Sequence, residues 1–173
     1  MTGGKLVGGA LVGFALIFGA VVYYTQVYAY YQEVDAEEVT IRLTPLGGQD
    51  APEAMLVDGM EAIDGSSSPL RFRACFRTPE SLALLTESYE IFDAAEPLVA
   101  PGWFECFDAE EIGEALRDGT AIAFMGEKNI DFGVDRIVAV TEDGRAYAWH
   151  QINDCGEKTY DGTPVGDACP TRD

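Results

Sequence analysis

The sequence predicts an α+β fold carried on a membrane stalk: an N-terminal single transmembrane helix, then a small antiparallel sheet packed by two helices and stapled by disulfides. Three observations lead there. The chain opens on an uncharged apolar run, it continues in the order strands, helix, strand, helix, strands, and it carries four widely spaced cysteines.

Leu6 to Val22 contains only Leu, Val, Ile, Phe, Ala and Gly. Tyr23, Tyr24, Tyr28, Tyr30 and Tyr31 follow, the composition of an interfacial aromatic belt, in which an apolar ring carries a hydroxyl that seeks water. Extending the run to Ala29 supplies the ~20 residues a helix needs to cross a bilayer. Residues 1–31 therefore read as an anchor and 32–173 as an acidic domain. Lys5 precedes the run, whereas Glu33, Asp35, Glu37 and Glu38 follow it. The positive-inside bias then places the start in the cytoplasm and the domain outside. A cleaved secretory signal is the rival, with Val27-Tyr28-Ala29 as its cleavage site, but the apolar run exceeds the usual core of such signals. Gly9 and Gly13, with Gly4 and Gly8, have the small-x-x-x-small spacing that lets a second membrane helix approach closely.

All 30 acidic residues lie from Glu33 onward, with 10 of the 11 basic ones, a net charge of −20 on the domain. Such a surface repels nucleic acid and attracts basic partners. At 47% apolar residues the chain has the material for a folded core, and its length beyond the anchor suits one domain.

Within the domain, Val39 to Leu43 alternates apolar and polar residues as a half-buried strand does, and Pro45 with Gly47-Gly48 ends it. Ala54 to Val57 is a short second strand. Leu70 to Phe76 reads as a third, with Leu70, Phe72 and Ala74 on one face and Arg71, Arg73 and Cys75 on the other. Thr78-Pro79 reads as an N-cap and first helical residue, opening a helix whose stripe is Leu82, Leu85, Tyr89 and Phe92. A short aromatic strand is expected around Cys106. Asp108 and Glu111 then form a capping-box variant for a second helix, facing the core with Ile112, Ala115 and Leu116 and stopping at Asp118-Gly119. Thr120 to Met125, Arg136 to Thr141 and Arg145 to Gln151 complete the sheet, the last two joined at Glu142-Asp143-Gly144 as a hairpin.

Cys75, Cys106, Cys155 and Cys169 show neither C-x-x-C spacing nor a neighbouring histidine, which argues against zinc and thioredoxin-like chemistry. Two structural disulfides are the economical reading in an oxidising compartment. Three pairings are possible, and sequence alone does not choose among them. The matching contexts of Cys75 and Cys106, and the weak core of the tail around Cys155 and Cys169, favour Cys75–Cys106 and Cys155–Cys169.

Catalytic signals are sparse. His150, the single histidine, falls at the end of the last strand as an edge residue, without a nucleophile turn to serve. Pro101-Gly102-Trp103-Phe104 is an aromatic loop that either packs in the core or forms a recognition loop. The sequence shows no calcium loop or phosphate-cradling glycine loop, so no metal or cofactor is expected.

The segments Gln26 to Tyr31, Ser68 to Phe76, Ala100 to Phe107 and Trp149 to Gly156 resemble a family of uncharacterised single-pass inner-membrane proteins of alphaproteobacteria, mainly Rhodobacter relatives. The resemblance implies a lineage and a periplasmic domain but no activity. "Histidine kinase" labels attach to such proteins, yet this chain has neither a phosphoacceptor helix nor a nucleotide-binding domain. The resulting expectation is a non-enzymatic periplasmic protein working by contact with a membrane or periplasmic partner, as an accessory or assembly factor of an envelope or respiratory complex. One alternative is an acidic docking module for a basic electron carrier such as cytochrome c. Another is a periplasmic hydrolase or thiol redox factor.

Overall fold

A computed structural model of the chain describes residues 3–47, 51–166 and 169–170; Gly48, assigned above to the end of the first strand, lies outside them. Helix α1 spans Gly3–Tyr24 and widens into a π-helical turn over Thr25–Ala29. The combined Gly3–Ala29 helix is long and apolar enough to cross a membrane. At about 1.5 Å per residue it exceeds the ~30 Å of a bilayer's hydrocarbon core.

Six strands make the main sheet: β1 (Gln32–Val34), β4 (Asp58–Asp64), β5 (Arg73–Arg77), β6 (Ala121–Met125), β7 (Val134–Thr141) and β8 (Arg145–Ile152). Their order is β1-β4-β5-β8-β7-β6, and every pairing is antiparallel. A separate two-stranded pair joins β2 (Arg42–Leu43) to β3 (Glu53–Ala54). The β7–β8 hairpin turns at Gly144, whose φ of 79° lies where a side chain is disfavoured.

Both faces of the sheet are buried, and the period-2 alternation of its strands distributes residues between two cores. On one face Phe72, Ala74, Phe76, Val138, Val140, Ala146 and Ala148 meet Ile41, Leu43, Met55 and Leu85 of helix α2 (Leu82–Ser88). On the other Cys75, Ile137, Ala139, Tyr147 and Trp149 meet Phe104, Phe107 and Ile112 of helix α3 (Ala109–Asp118). Strand β7, between β8 and the edge strand β6, is buried along its whole length.

Several elements depart from the sequence reading. The helix expected from Pro79 begins at Leu82, because the Ser81 side chain accepts from Leu84 N and serves as the cap. Thr78 instead holds the preceding turn, its Oγ1 accepting from Glu80 N. The expected stripe splits: Leu85 and Tyr89 enter the first core, whereas Phe92 packs on the second. Leu70 lies in a 3-10 turn, Pro69–Arg71, rather than on β5. The aromatic segment before Cys106 forms turns and no strand. Strands β1 and β4 lack the apolar alternation that would have marked them: β4 reads Asp-Gly-Met-Glu-Ala-Ile-Asp.

The α3 cap is Asp108, which accepts from Glu110 N and Glu111 N, and the helix closes on Gly119 with a left-handed φ of 74°. Glu111 does not complete a reciprocal box; its carboxylate pairs with Arg145 at 3.3 Å. The disulfides are Cys75–Cys106 and Cys155–Cys169.

Candidate functional site at the end of the N-terminal helix

The strap from Asp93 to Phe107 has no regular structure, so its backbone groups need partners from elsewhere. The sheet supplies them. Gln151 donates to Ala94 O at 2.8 Å and accepts from Glu96 N at 2.8 Å. Arg73 donates through Nε to Leu98 O at 2.8 Å and through Nη2 to Val99 O at 3.3 Å. Its Nη1 reaches the carbonyls of Leu70 and Phe72. Burial pulls the Arg73 guanidinium down to about 10, with Tyr31 and Asp64 opposing the shift, so it stays charged at neutral pH. The Cys75–Cys106 bridge fixes the far end of the strap.

So secured, the strap presents Trp103 to the end of the N-terminal helix. Trp103 Nε1 donates to Val27 O at 2.7 Å, a carbonyl of the π-helical turn, and its ring meets Tyr31 edge-on with centroids 6.4 Å apart. Arg71 lies over two rings, its Cζ 4.9 Å from the Tyr30 centroid and 5.1 Å from that of Tyr31. Its buried Nη1 has no hydrogen-bond partner among the described residues, leaving the tyrosine faces to compensate the charge there. Gly65 makes this approach possible: a Cβ at that position would stand 2.3 Å from Tyr30 O and 2.5 Å from Arg71 Cδ. Within Pro101-Gly102-Trp103-Phe104, Gly102 is exposed while the two aromatic residues pack against the chain itself. Trp103 is half-buried against the chain's own helix, and Phe104 belongs to the second core.

Beside this clasp lies a groove of about 490 Å³, bordered by Glu33, Glu61, Trp103, Phe104, Glu105 and Cys106. Gly9 and Gly13 lie elsewhere, on the exposed surface of α1, where an added Cβ would meet nothing within 4 Å.

His150 is not an edge residue. It sits opposite Arg136 on the β7–β8 ladder, inside the sheet, and is 6% exposed. Its Nδ1 is 2.6 Å from Pro69 O, which can only accept, so Nδ1 carries the proton and Nε2 accepts from Arg136 Nε at 3.1 Å. Phe72 stacks on the imidazole at 4.8 Å and lies under the Arg136 guanidinium at 4.2 Å. Burial, reinforced by the neighbouring Arg136 charge, pushes the imidazole down to about 4. Both ring nitrogens are occupied by protein groups.

The arginines were the residues the sequence concealed. Alternation in Leu-Arg-Phe-Arg-Ala-Cys-Phe sets Arg71 and Arg73 on the face opposite Leu70 and Phe72 but does not show what covers it; the strap and tyrosines do. One signal was present: Cys75, expected in a buried disulfide, shares their parity.

Comparison places the domain. A family of unknown function (DUF6446) matches residues 41–170. The chain belongs to that family. The match covers β2 through the second disulfide, including Arg71, Trp103 and His150. No curated protein and no solved structure matches the chain.

Proposed function

We propose that this DUF6446 protein is an inner-membrane-anchored periplasmic accessory protein, acting by contact on a membrane or periplasmic partner in an envelope complex of the alphaproteobacterial type. The carrying observation is the clasp: Trp103 and Arg71 hold the domain directly on the end of the helix, which gives it a fixed face at the bilayer rather than a flexible tether. Two disulfides suit an oxidising compartment, which supports an outward-facing domain. His150 has both ring nitrogens engaged by protein groups and the four cysteines are paired in disulfides, which supports a contact role over chemistry at these residues.

The test is cross-linking in intact membranes followed by isolation in mild detergent. A reproducible co-purifying protein cross-linked through the domain is the expected result. A chain that always runs alone and monomeric overturns the reading.

A further inference from the structure

In a domain dense in acids, the strap carries an uncharged run from Pro97 to Phe104, bounded by Glu96 and Glu105. The Arg73 guanidinium gathers the carbonyls of Leu70, Leu98 and Val99, so these three apolar residues share one patch. Leu70 and Leu98 are half-buried, whereas Val99 is 78% exposed and belongs to neither core. Among the described residues only Tyr160 exposes a large hydrophobic side chain more fully. A valine held outward on a pinned backbone gains nothing from the domain's own packing.

The patch lies at the end of the sheet that the N-terminal helix enters, since Gln32 of β1 pairs with Asp64 and Ile63 pairs with Arg73. With α1 in a bilayer, as proposed above, its depth follows. Leu6 to Thr25 is 20 residues, about 30 Å at the usual rise, which matches the hydrocarbon core. Val27 then stands just beyond that core, and Trp103, bonded to Val27 O at 2.7 Å, lies at headgroup level, where tryptophan is enriched. The strap's backbone suits a place that loses water. Pro97 and Pro101 have no N–H, the carbonyls of Leu98 and Val99 accept from Arg73, and Pro101 O accepts from Phe104 N at 2.9 Å. Glu96 and Glu105, both exposed, stop the run from sinking past the headgroups.

We infer that Val99, with Leu98 and Leu70, seats in the boundary between headgroups and acyl chains of the bilayer that α1 crosses, giving the domain a lipid contact of its own besides the anchor. The partner is the lipid surface, met by apolar burial and not by charge, because the strongly acidic domain is repelled by anionic headgroups. Trp103 on the helix and Val99 in the lipid make a two-point seat, which limits how far the domain tilts. This inference rests on the membrane anchorage proposed above and names the face that meets the lipid.

The full chain, methyl-labelled at leucine and valine, is placed in phosphatidylcholine nanodiscs holding a lipid spin-labelled near the top of its acyl chain. The methyl signals of Val99, Leu98 and Leu70 should broaden, while those of Leu84, also exposed but beyond the far end of β5, stay sharp. Val22 and Val27 report the helix itself. Broad helix signals with a sharp Val99 overturn the seat and leave the anchorage standing, whereas sharp signals at Val22 and Val27 defeat the anchorage and the seat with it. Equal broadening at Val99 and Leu84 overturns the seat, as does a Val99 response that appears only when anionic lipid is added. Val99→Asp should keep the fold and lower the ratio of seated to lifted domain about tenfold, read at the Leu98 methyls. Leu98 signals unchanged by that substitution overturn the inference.

Discussion

Arg136 and His150 face each other across β7 and β8, with the guanidinium donating to Nε2 of a neutral imidazole at 3.1 Å. A positive group is thereby held against a base that cannot accept a proton without repulsion. Arg73 adds to this repulsion from the neighbouring strand, and Asp131 opposes it.

Stability should consequently fall on acidification through this site. His150 titrates near 6.5 in the unfolded chain and at about 4 when folded. Between those values the unfolded state binds the extra proton, so the contribution is complete above pH 6.5 and is lost as pH drops toward 4. The displacement corresponds to about 3 kcal/mol. His150→Gln can keep an acceptor for Arg136 and a donor for Pro69 without titrating. Urea midpoints from pH 7 to 4 should show the unaltered protein losing stability relative to this variant by about that amount; a constant difference across the range refutes the coupling.

Trp103→Phe keeps a ring against Tyr31 but removes the donor to Val27 O. The expected cost is about 1 kcal/mol, local to the clasp. Hydrogen exchange at Gln32–Val34 should quicken about fivefold, while β7 and β8 amides keep their rates. A uniform change along the chain would contradict a local clasp.

Replacing Cys75 and Cys106 together by Ala opens the cross-link between β5 and the strap, a separation of 31 residues. A loop of that size predicts a loss of about 3 to 4 kcal/mol. Chemical denaturation measures it, and protease should cut first between Asp93 and Phe107. Stability unchanged within about 1 kcal/mol would mean that Arg73 and Gln151 hold the strap by themselves.

Gly133→Ala should release the tail. Gly133 has φ of 77°, and a Cβ there would stand 2.4 Å from Gly156 Cα and 2.5 Å from its N. Asn153 ties the same region, bonding Asp135 Oδ1 at 2.6 Å and accepting from Cys155 N and Gly156 N. The variant should lose more than about 1 kcal/mol, with Cys155–Cys169 reduced faster by dithiothreitol than Cys75–Cys106. Equal reduction rates before and after the change reject this role.

The legible parts of the fold were those where local chemistry and tertiary role agree. Asp108 and Gly119 bound α3 because cap and left-handed stop are backbone requirements, independent of surroundings. The last two strands, Val134–Thr141 and Arg145–Ile152, were legible over Arg136 to Thr141 and Arg145 to Gln151 because β-branched residues on one side and aromatic residues on the other flank an Asp-Gly turn. Strand β1 was hidden in a polar Gln-Glu-Val stretch, since its pairing comes from β4 and not from its own pattern. The clasp was hidden for a different reason. Tyr30 and Tyr31 fit an aromatic belt and Arg71 an alternating strand, and only their meeting across about 40 residues gives them a joint role. His150 was misplaced because a sequence ladder shows where a strand ends but not how many neighbours flank it.

The grip of Trp103 on Val27 also sets an azimuth. A helix turns about 100° per residue, so removing one residue between Gly13 and Tyr24 would swing the glycine ridge by that angle relative to the acidic groove. Whatever helix lies along Gly9 and Gly13 meets a domain whose compass bearing is already set, as a key's bit is fixed to its shank.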